Sequence, residues 1–166
     1  MTARRAFTLV EILIVVVILA ILAAVVLPRF SNATAIARAS MLADDLRIFR
    51  MQVQVYKSQH CECPPGFMTY SQTGTGDIDL FTKQLTLASK ADGNTAAVNT
   101  AGYNFGPYLR EVPEDPVNGL RTVQIVGPGA MPSADDSHGW LFQPSTMLVR
   151  PDCTGTDDKG INYYDY

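Results

Sequence analysis

The chain has 166 residues and a formal net charge of −3. This length suits one compact domain with an appendage and is short for two full domains. The mildly acidic balance argues against nucleic acid as a partner, because phosphate binding requires a basic surface.

An apolar segment dominates the N-terminal end of the chain. Residues 7–27 contain one charged residue, Glu11, and one other polar residue, Thr8. As a helix this segment would be roughly 31 Å long, which matches the hydrocarbon thickness of a bilayer. Arg4 and Arg5 precede it, so we expect the N-terminus to stay cytoplasmic and the body to cross the membrane. A plain signal anchor and a cleaved secretory signal are the alternatives, but neither explains an acid inside the apolar run.

Glu11 is the most informative residue of this segment. An ionised carboxylate at the centre of a membrane helix costs about 3 kcal/mol, so it usually has a partner or a purpose. Glu11 lies about one helical turn after Phe7. Cleavage between Ala6 and Phe7 would create an amine near this carboxylate. The amine of a neighbouring subunit would then neutralise Glu11 when the helices pack side by side.

The motif Ala6-Phe7-Thr8-Leu9-Val10-Glu11 resembles the cleavage and methylation signature of type IV prepilins and type II secretion pseudopilins. That signature consists of a short basic leader, a small residue, Phe, three further residues and Glu. The small residue is usually Gly, and this chain has Ala6 instead. The resemblance implies that a prepilin peptidase removes residues 1–6 and that Phe7 becomes N-methylated. It also implies that Glu11 governs subunit docking.

The helical pattern continues beyond the apolar segment, over residues 28–59. Apolar residues recur at spacings of three and four and form one stripe: Ala35, Ala39, Leu42, Leu46, Phe49, Val53 and Tyr56. The opposite face carries Asp44, Asp45, Arg47, Arg50, Gln54 and Lys57. We predict one helix over 7–59, bent or locally melted at Pro28, which matches a proline often found there in the family. The stripe is predicted to join the core, and a coiled-coil seam is the alternative.

Turn residues and short apolar runs divide the rest of the chain. They predict a loop at 60–76, a helix at 77–91, an irregular segment at 94–119, and strands at 122–126, 140–142 and 147–150. Asp77 or Asp79 is expected to cap the helix, and 143–146 is expected to form a hairpin loop. We therefore predict an α+β, pilin-like fold in which the long N-terminal helix packs on a small antiparallel sheet. Residues 60–166 would form the periplasmic globular domain.

Residues 105–119 and 139–144 are similar to the body of pseudopilins that resemble the major type II secretion subunit. This favours a subunit that is anchored in the bacterial inner membrane and polymerises in the periplasm to drive protein export. The partners implied are further copies, other pseudopilins, the prepilin peptidase and an inner-membrane assembly platform with a cytoplasmic ATPase. Two alternatives remain. One is a type IV pilus subunit for adhesion, motility or DNA uptake, and the other is a signal-anchored periplasmic protein that never polymerises.

The C-terminal tail carries Asp152, Asp157 and Asp158. In the major pseudopilins, which the chain resembles, oxygen atoms of the C-terminal loop bind calcium. Several carboxylates on a loop suit this hard cation, so calcium is the one cofactor the resemblance suggests. A solvated acidic tail that binds no cofactor is the alternative.

The chain has three cysteines, too few for a disulfide scaffold. In an oxidising compartment Cys153 would pair with Cys61 or Cys63, and three reduced thiols are the alternative. His60 and His138 are the only histidines, and no nucleophile elbow, phosphate loop or H-E-x-x-H motif is present. We therefore predict that the chain is not an enzyme.

Overall fold

The computed structural model describes residues 9–69 and 76–166, and the side chains of 25–32 lie outside this description. The elements are α1 (Leu9–Gln59), α2 (Ile78–Thr86), β1 (Ala88–Ser89), β2 (Thr95–Ala96), β3 (Val123–Ile125), β4 (Trp140–Gln143) and β5 (Leu148–Pro151). The chain divides into two compact units, one that ends at Ala37 and one that comprises Arg38–Tyr166. The predicted segment 28–59 is therefore shared between the two units.

The α+β prediction is confirmed, because a long N-terminal helix supplies one face of the core of the second unit. The predicted stripe of α1 is buried from residue 39 onward, at Ala39, Leu42, Leu46, Phe49, Val53 and Tyr56. Phe49 packs edge-on against Phe81 of α2 and Trp140 of β4, with ring centroids 6.2 Å and 5.6 Å apart. The stripe begins at the buried Ala39, so the prediction that Ala35 belongs to it is wrong, because Ala35 is exposed.

α1 ends at Gln59, as predicted. The helix continues through Pro28 without interruption, so the expected local melting does not occur. Only one hydrogen bond of the helical ladder is lost at a proline, and the turns on both sides can hold the helix together. A bend at Pro28 stays a prediction.

α2 starts as predicted and ends early. The Asp77 carboxylate accepts a hydrogen bond from the Leu80 amide at 3.0 Å and caps the first turn. The prediction that the helix reaches residue 91 is wrong. Leu87 adopts an extended conformation, and the next two residues form β1, which pairs antiparallel with β2. Backbone pairing of Ala88 with Ala96 therefore overrides the helical spacing of Ala88.

β3, β4 and β5 form a three-stranded sheet with β4 in the centre. β4 and β5 pair antiparallel, as the predicted hairpin requires. β3 and β4 pair parallel, so the prediction of a purely antiparallel sheet is wrong. Residues 126–139 connect the two strands, and a connection of about a dozen residues is long enough to return the chain to the start of a parallel neighbour. The side chains of β4 are all buried.

Arg50 does not belong to the outer polar face of α1, contrary to prediction. Its Nε donates a hydrogen bond to the Val149 carbonyl at 2.9 Å, and its Nη1 donates one to the Tyr166 carbonyl at 3.0 Å. Hydrogen bonds from a charged guanidinium group to carbonyl oxygens are stronger than those from a neutral donor. Arg50 thus fastens α1 to β5 and to the C-terminal segment.

Candidate assembly site

The N-terminal part of α1 exposes apolar side chains around its whole circumference. All side chains at residues 9–24 are exposed. Among the large apolar ones, the exposed fraction ranges from 49% at Val17 to 83% at Leu9. A helix that is apolar on every face requires a nonpolar environment, which is supplied by lipid or by other helices. The described residues do not supply it, so this segment is the first candidate site of assembly.

Glu11 lies in the first turn of α1 and is exposed. The amide groups at a helix N-terminus favour a carboxylate in this position. Ala6 and Phe7, the predicted cleavage and methylation residues, lie outside the described residues. Their roles, and the docking role of Glu11, stay predictions.

Within residues 9–69 and 76–166, no helix offers a stretch that is long and apolar enough to cross a membrane. The membrane span was predicted at residues 7–27. The structure describes only the side chains of residues 9–24 in this segment, so both ends of the predicted span lie outside the description.

The C-terminal loop is organised by carboxylates that accept protein hydrogen bonds. Asp152 is buried, and it accepts from the amides of Asp135 (3.0 Å) and His138 (2.8 Å) and from the Ser137 hydroxyl (3.2 Å). Asp136 accepts from the amide and the hydroxyl of Thr154. These contacts clamp the segment before β4 onto the segment after β5. This clamp could not be predicted from the sequence, because its partners are far apart along the chain.

Asp157 organises a separate turn. One carboxylate oxygen accepts from the amides of Lys159 and Ile161, both at 2.8 Å, and the other accepts from the Tyr166 hydroxyl at 2.7 Å. The hydrogen bond from Tyr166 is the main cause that lowers the pKa of Asp157, and the two amides add to it. Asp158 is exposed.

The structure does not bring the three predicted calcium ligands, Asp152, Asp157 and Asp158, into one ligand set. Across the described residues, no group of three or more His, Cys, Asp or Glu side chains is placed to hold a metal ion. Asp152 and Asp157 use both of their carboxylate oxygens on protein donors. Calcium binding stays a prediction.

Asp157→Asn is expected to lower the melting temperature of the chain in detergent at pH 7, because the carboxylate is lost from its three donors. A lowered pKa contributes stability above the pKa of the unfolded state, and this is lost as the pH falls through the folded pKa. The difference between wild type and variant should therefore persist as the pH falls from 7 to about 5 and shrink at lower pH, once the pH passes below about 4. Asp158→Asn, at the exposed neighbour, is the matched control and should change little. A difference that does not depend on pH would contradict this account.

None of the three cysteines forms a disulfide in this structure. Cys153 is buried, and burial together with the neighbouring Asp115 raises the pKa of its thiol. Cys61 is exposed and Cys63 is half-buried, both just beyond the C-terminal end of α1. Neither predicted pairing with Cys153 is formed.

Comparison with known proteins adds to this picture. The prokaryotic N-terminal methylation motif matches residues 1–27. The chain is similar to type II secretion system core protein G of Klebsiella pneumoniae, with 25% identity over 150 residues, 84% of this chain and 95% of the relative. It is also similar to core protein G of Dickeya chrysanthemi, with 26% identity over 147 residues, 82% of this chain and 85% of the relative. No solved structure matches the chain.

The chain combines a long helix whose N-terminal part is apolar, exposed and covered by this motif with a small sheet on which the helix packs further on. This combination defines a pilin-like fold. The motif and the two relatives make the chain similar to the pseudopilins of type II secretion. Pseudopilins are structural subunits, so this similarity agrees with the prediction that the chain is not an enzyme.

Proposed function

We propose that the chain is a subunit of a type II secretion pseudopilus that polymerises through α1 in the periplasm and drives protein export. The observation that carries the proposal is the apolar helix surface at residues 9–24, which the chain leaves exposed. Lipid covers this surface in the inner membrane before assembly, and neighbouring copies cover it in the filament. The similarity to core protein G over most of both chains supports type II secretion over a surface type IV pilus.

Transfer of the helix from lipid to the filament gains little hydrophobic free energy, because both surroundings are apolar. Helix packing and a specific polar contact must therefore fix the position of each new subunit. Glu11 supplies the carboxylate of this contact, and the N-terminal amine of Phe7 in a neighbouring copy supplies the cation. The work of assembly comes from a cytoplasmic ATPase on an inner-membrane platform.

The proposal requires a specific N-terminus. A prepilin peptidase removes residues 1–6, and without this step the amine would not lie one turn from Glu11. The body, from residue 60 onward, is exported across the inner membrane with the N-terminus on the cytoplasmic side. Other pseudopilins join the same filament.

Mass spectrometry of the protein from its native host tests the first step. We expect a mature chain that begins with N-methylated Phe7. A chain that begins at Met1, or one cut after the apolar segment, would contradict the proposal.

Deletion of the gene then separates the two kinds of filament. Loss of exoprotein release with surface pili unchanged supports the secretion pseudopilus. Loss of surface pili with secretion unchanged would favour the type IV pilus.

A further inference from the structure

The turn that follows α1 carries two cysteines close together. Cys61 and Cys63 are separated by Glu62 alone and lie just beyond the C-terminal end of α1. The Cys63 amide donates a hydrogen bond to the His60 carbonyl at 2.9 Å, which closes a four-residue turn over 60–63. Cys61 and Glu62 are the two central residues of this turn, with φ angles of 53° and 62°.

The backbone of this turn is unusual. Positive φ at both central positions defines a type I′ turn, which normally has Asn or Gly there. Cys61 and Glu62 are the only two consecutive non-glycine residues with positive φ among those that the structure describes. Such a conformation persists only where its surroundings hold it. Here the amides of His60 (3.2 Å) and Glu62 (3.1 Å) both donate to the Lys57 carbonyl, and the Lys57 ammonium pairs with the Glu62 carboxylate at 3.3 Å. These contacts fix the turn to the last turn of α1.

The left-handed conformation of Glu62 brings its two neighbours close together. Left-handed dihedrals are the mirror image of α-helical ones, and in α-helical geometry Cα atoms two residues apart are separated by about 5.4 Å. An extended backbone would separate them by about 6.7 Å. Disulfides join Cα atoms that are roughly 4.4–6.8 Å apart, most often about 5.5–6 Å. The turn therefore holds Cys61 and Cys63 close to the separation that a disulfide favours, whereas an extended segment would hold them near its limit.

Both cysteines of the turn are accessible from the same side. Cys61 is exposed and Cys63 is half-buried, and both line a cavity of about 480 Å³ beside the turn. Cys153, by contrast, is fully buried and belongs to the hydrophobic core. A protein catalyst can therefore reach the first two thiols in the folded chain, but it cannot reach the third.

We propose that Cys61 and Cys63 form a disulfide with each other, introduced by a thiol–disulfide oxidoreductase of the periplasm, and that Cys153 remains a thiol. This inference rests on the proposed function, because that function places the body in the periplasm, where disulfides form and persist. The structure then corresponds to the reduced form of the turn. The disulfide would hold the strained turn in place and so fix the chain where it leaves α1.

Oxidation of the turn takes two exchange steps. The thiolate of the exposed Cys61 attacks the disulfide of the oxidoreductase, which forms a mixed disulfide and releases one thiolate of the catalyst. The Cys63 thiolate then attacks the Cys61 sulfur, which closes the bond within the turn and releases the second thiolate of the catalyst. The two protons of the cysteines pass to the two catalyst thiolates. The two electrons reduce the oxidoreductase from its disulfide to its dithiol form.

Peptide mass spectrometry of the full chain from its native host tests the pairing. The protein is denatured, alkylated without reduction and cleaved with trypsin, which yields the peptide 58–83 with Cys61 and Cys63 but without Cys153. We expect this peptide to be unalkylated and about 2 Da lighter than its reduced form, because two hydrogens are lost. Cys153 should be alkylated, and Cys153→Ser, as the control, should leave the mass of 58–83 unchanged. Two alkylated cysteines in 58–83, or a link from either of them to Cys153 or to another protein, would overturn the proposal.

Two matched substitutions at Glu62 test the role of the turn. Glu62→Pro keeps both cysteines, but proline cannot adopt positive φ, so the turn is lost. Glu62→Gly leaves positive φ accessible, and both variants lose the ion pair with Lys57 equally. In a glutathione redox buffer, we expect Glu62→Pro to lower the equilibrium constant for the disulfide at least about tenfold and Glu62→Gly to keep it within about threefold. An unchanged constant for Glu62→Pro would overturn the geometric basis of the proposal.

The proposed function and this disulfide fail in different ways. Protease added to spheroplasts degrades the body of the chain only if the body lies in the periplasm. A protected body would contradict the proposed function itself. A periplasmic body in which Cys61 and Cys63 are both thiols would contradict only the disulfide.

Discussion

Glu11→Ala is expected to abolish filament assembly and to leave membrane insertion intact. The apolar segment becomes more hydrophobic without the carboxylate, so insertion should not suffer. In the filament, the N-terminal amine of a neighbouring copy would lose its partner, and breaking a buried pair in this way costs about 3–5 kcal/mol. Filaments are counted by electron microscopy, and insertion is measured as the membrane-bound fraction that resists alkaline extraction.

Glu11→Gln is the matched control for size. It preserves the length of the side chain and its hydrogen-bonding capacity but removes the charge. If charge neutralisation fixes the docking position, this variant should fail as Glu11→Ala does. Glu11→Asp, which keeps the charge on a shorter side chain, should retain part of the assembly. Normal filament yield from Glu11→Ala would rule out the proposed pairing.

Trp140→Ala is expected to lower the free energy of unfolding by about 3–5 kcal/mol. Trp140 is fully buried in β4, packs edge-on against Phe49, and donates a hydrogen bond from Nε1 to the Pro113 carbonyl at 2.8 Å. Its removal leaves a cavity between α1 and the sheet and an unpaired carbonyl. Urea unfolding of the full chain in detergent, followed by circular dichroism, measures the loss.

Trp140→Phe separates packing from hydrogen bonding. Most of the ring is kept and only the indole donor is lost, so we expect a smaller loss, on the order of 1–2 kcal/mol. Equal losses for the two variants would mean that the hydrogen bond to Pro113 dominates. A loss below about 1 kcal/mol for Trp140→Ala would contradict the central place of this side chain in the core.

The helix and its core-facing residues could be predicted because their signal is local. The spacing of Leu42, Leu46 and Phe49 follows the helical period, and any fold that buries this helix must bury that face. The strand positions were predicted for the same reason, from short apolar runs between turn residues. The turn that ends α1 near residue 59 was predicted from the breakers that follow it.

The features that could not be predicted depend on contacts between distant residues. The parallel pairing of β3 with β4 depends on the path of 126–139, which no periodicity records. Arg50 has the spacing of a solvent-facing residue, yet carbonyls of Val149 and Tyr166 lie within its reach. Asp152 was predicted as a calcium ligand from its chemistry, and the structure shows it accepting hydrogen bonds within the loop.

In the candidate assembly site, the exposed apolar surface was predictable from composition alone. A second apolar set on the same helix, Met41, Ile48, Met51 and Val55, follows the helical period as well as the buried stripe does. The period alone therefore does not say which set joins the core, and the structure shows that this second set is exposed.

The part of α1 that belongs to the second unit is used on two opposite sides. One side fills the core, the other exposes Met41, Ile48, Met51 and Val55, and Arg50 holds the flank between them against β5 and the C-terminal segment. Few positions on this stretch are therefore free to change, and Ala43 and Gln54, both exposed and outside either row, are the clearest of them. Variation among natural homologues should concentrate at such positions, and substitutions elsewhere on the helix should come in matched sets.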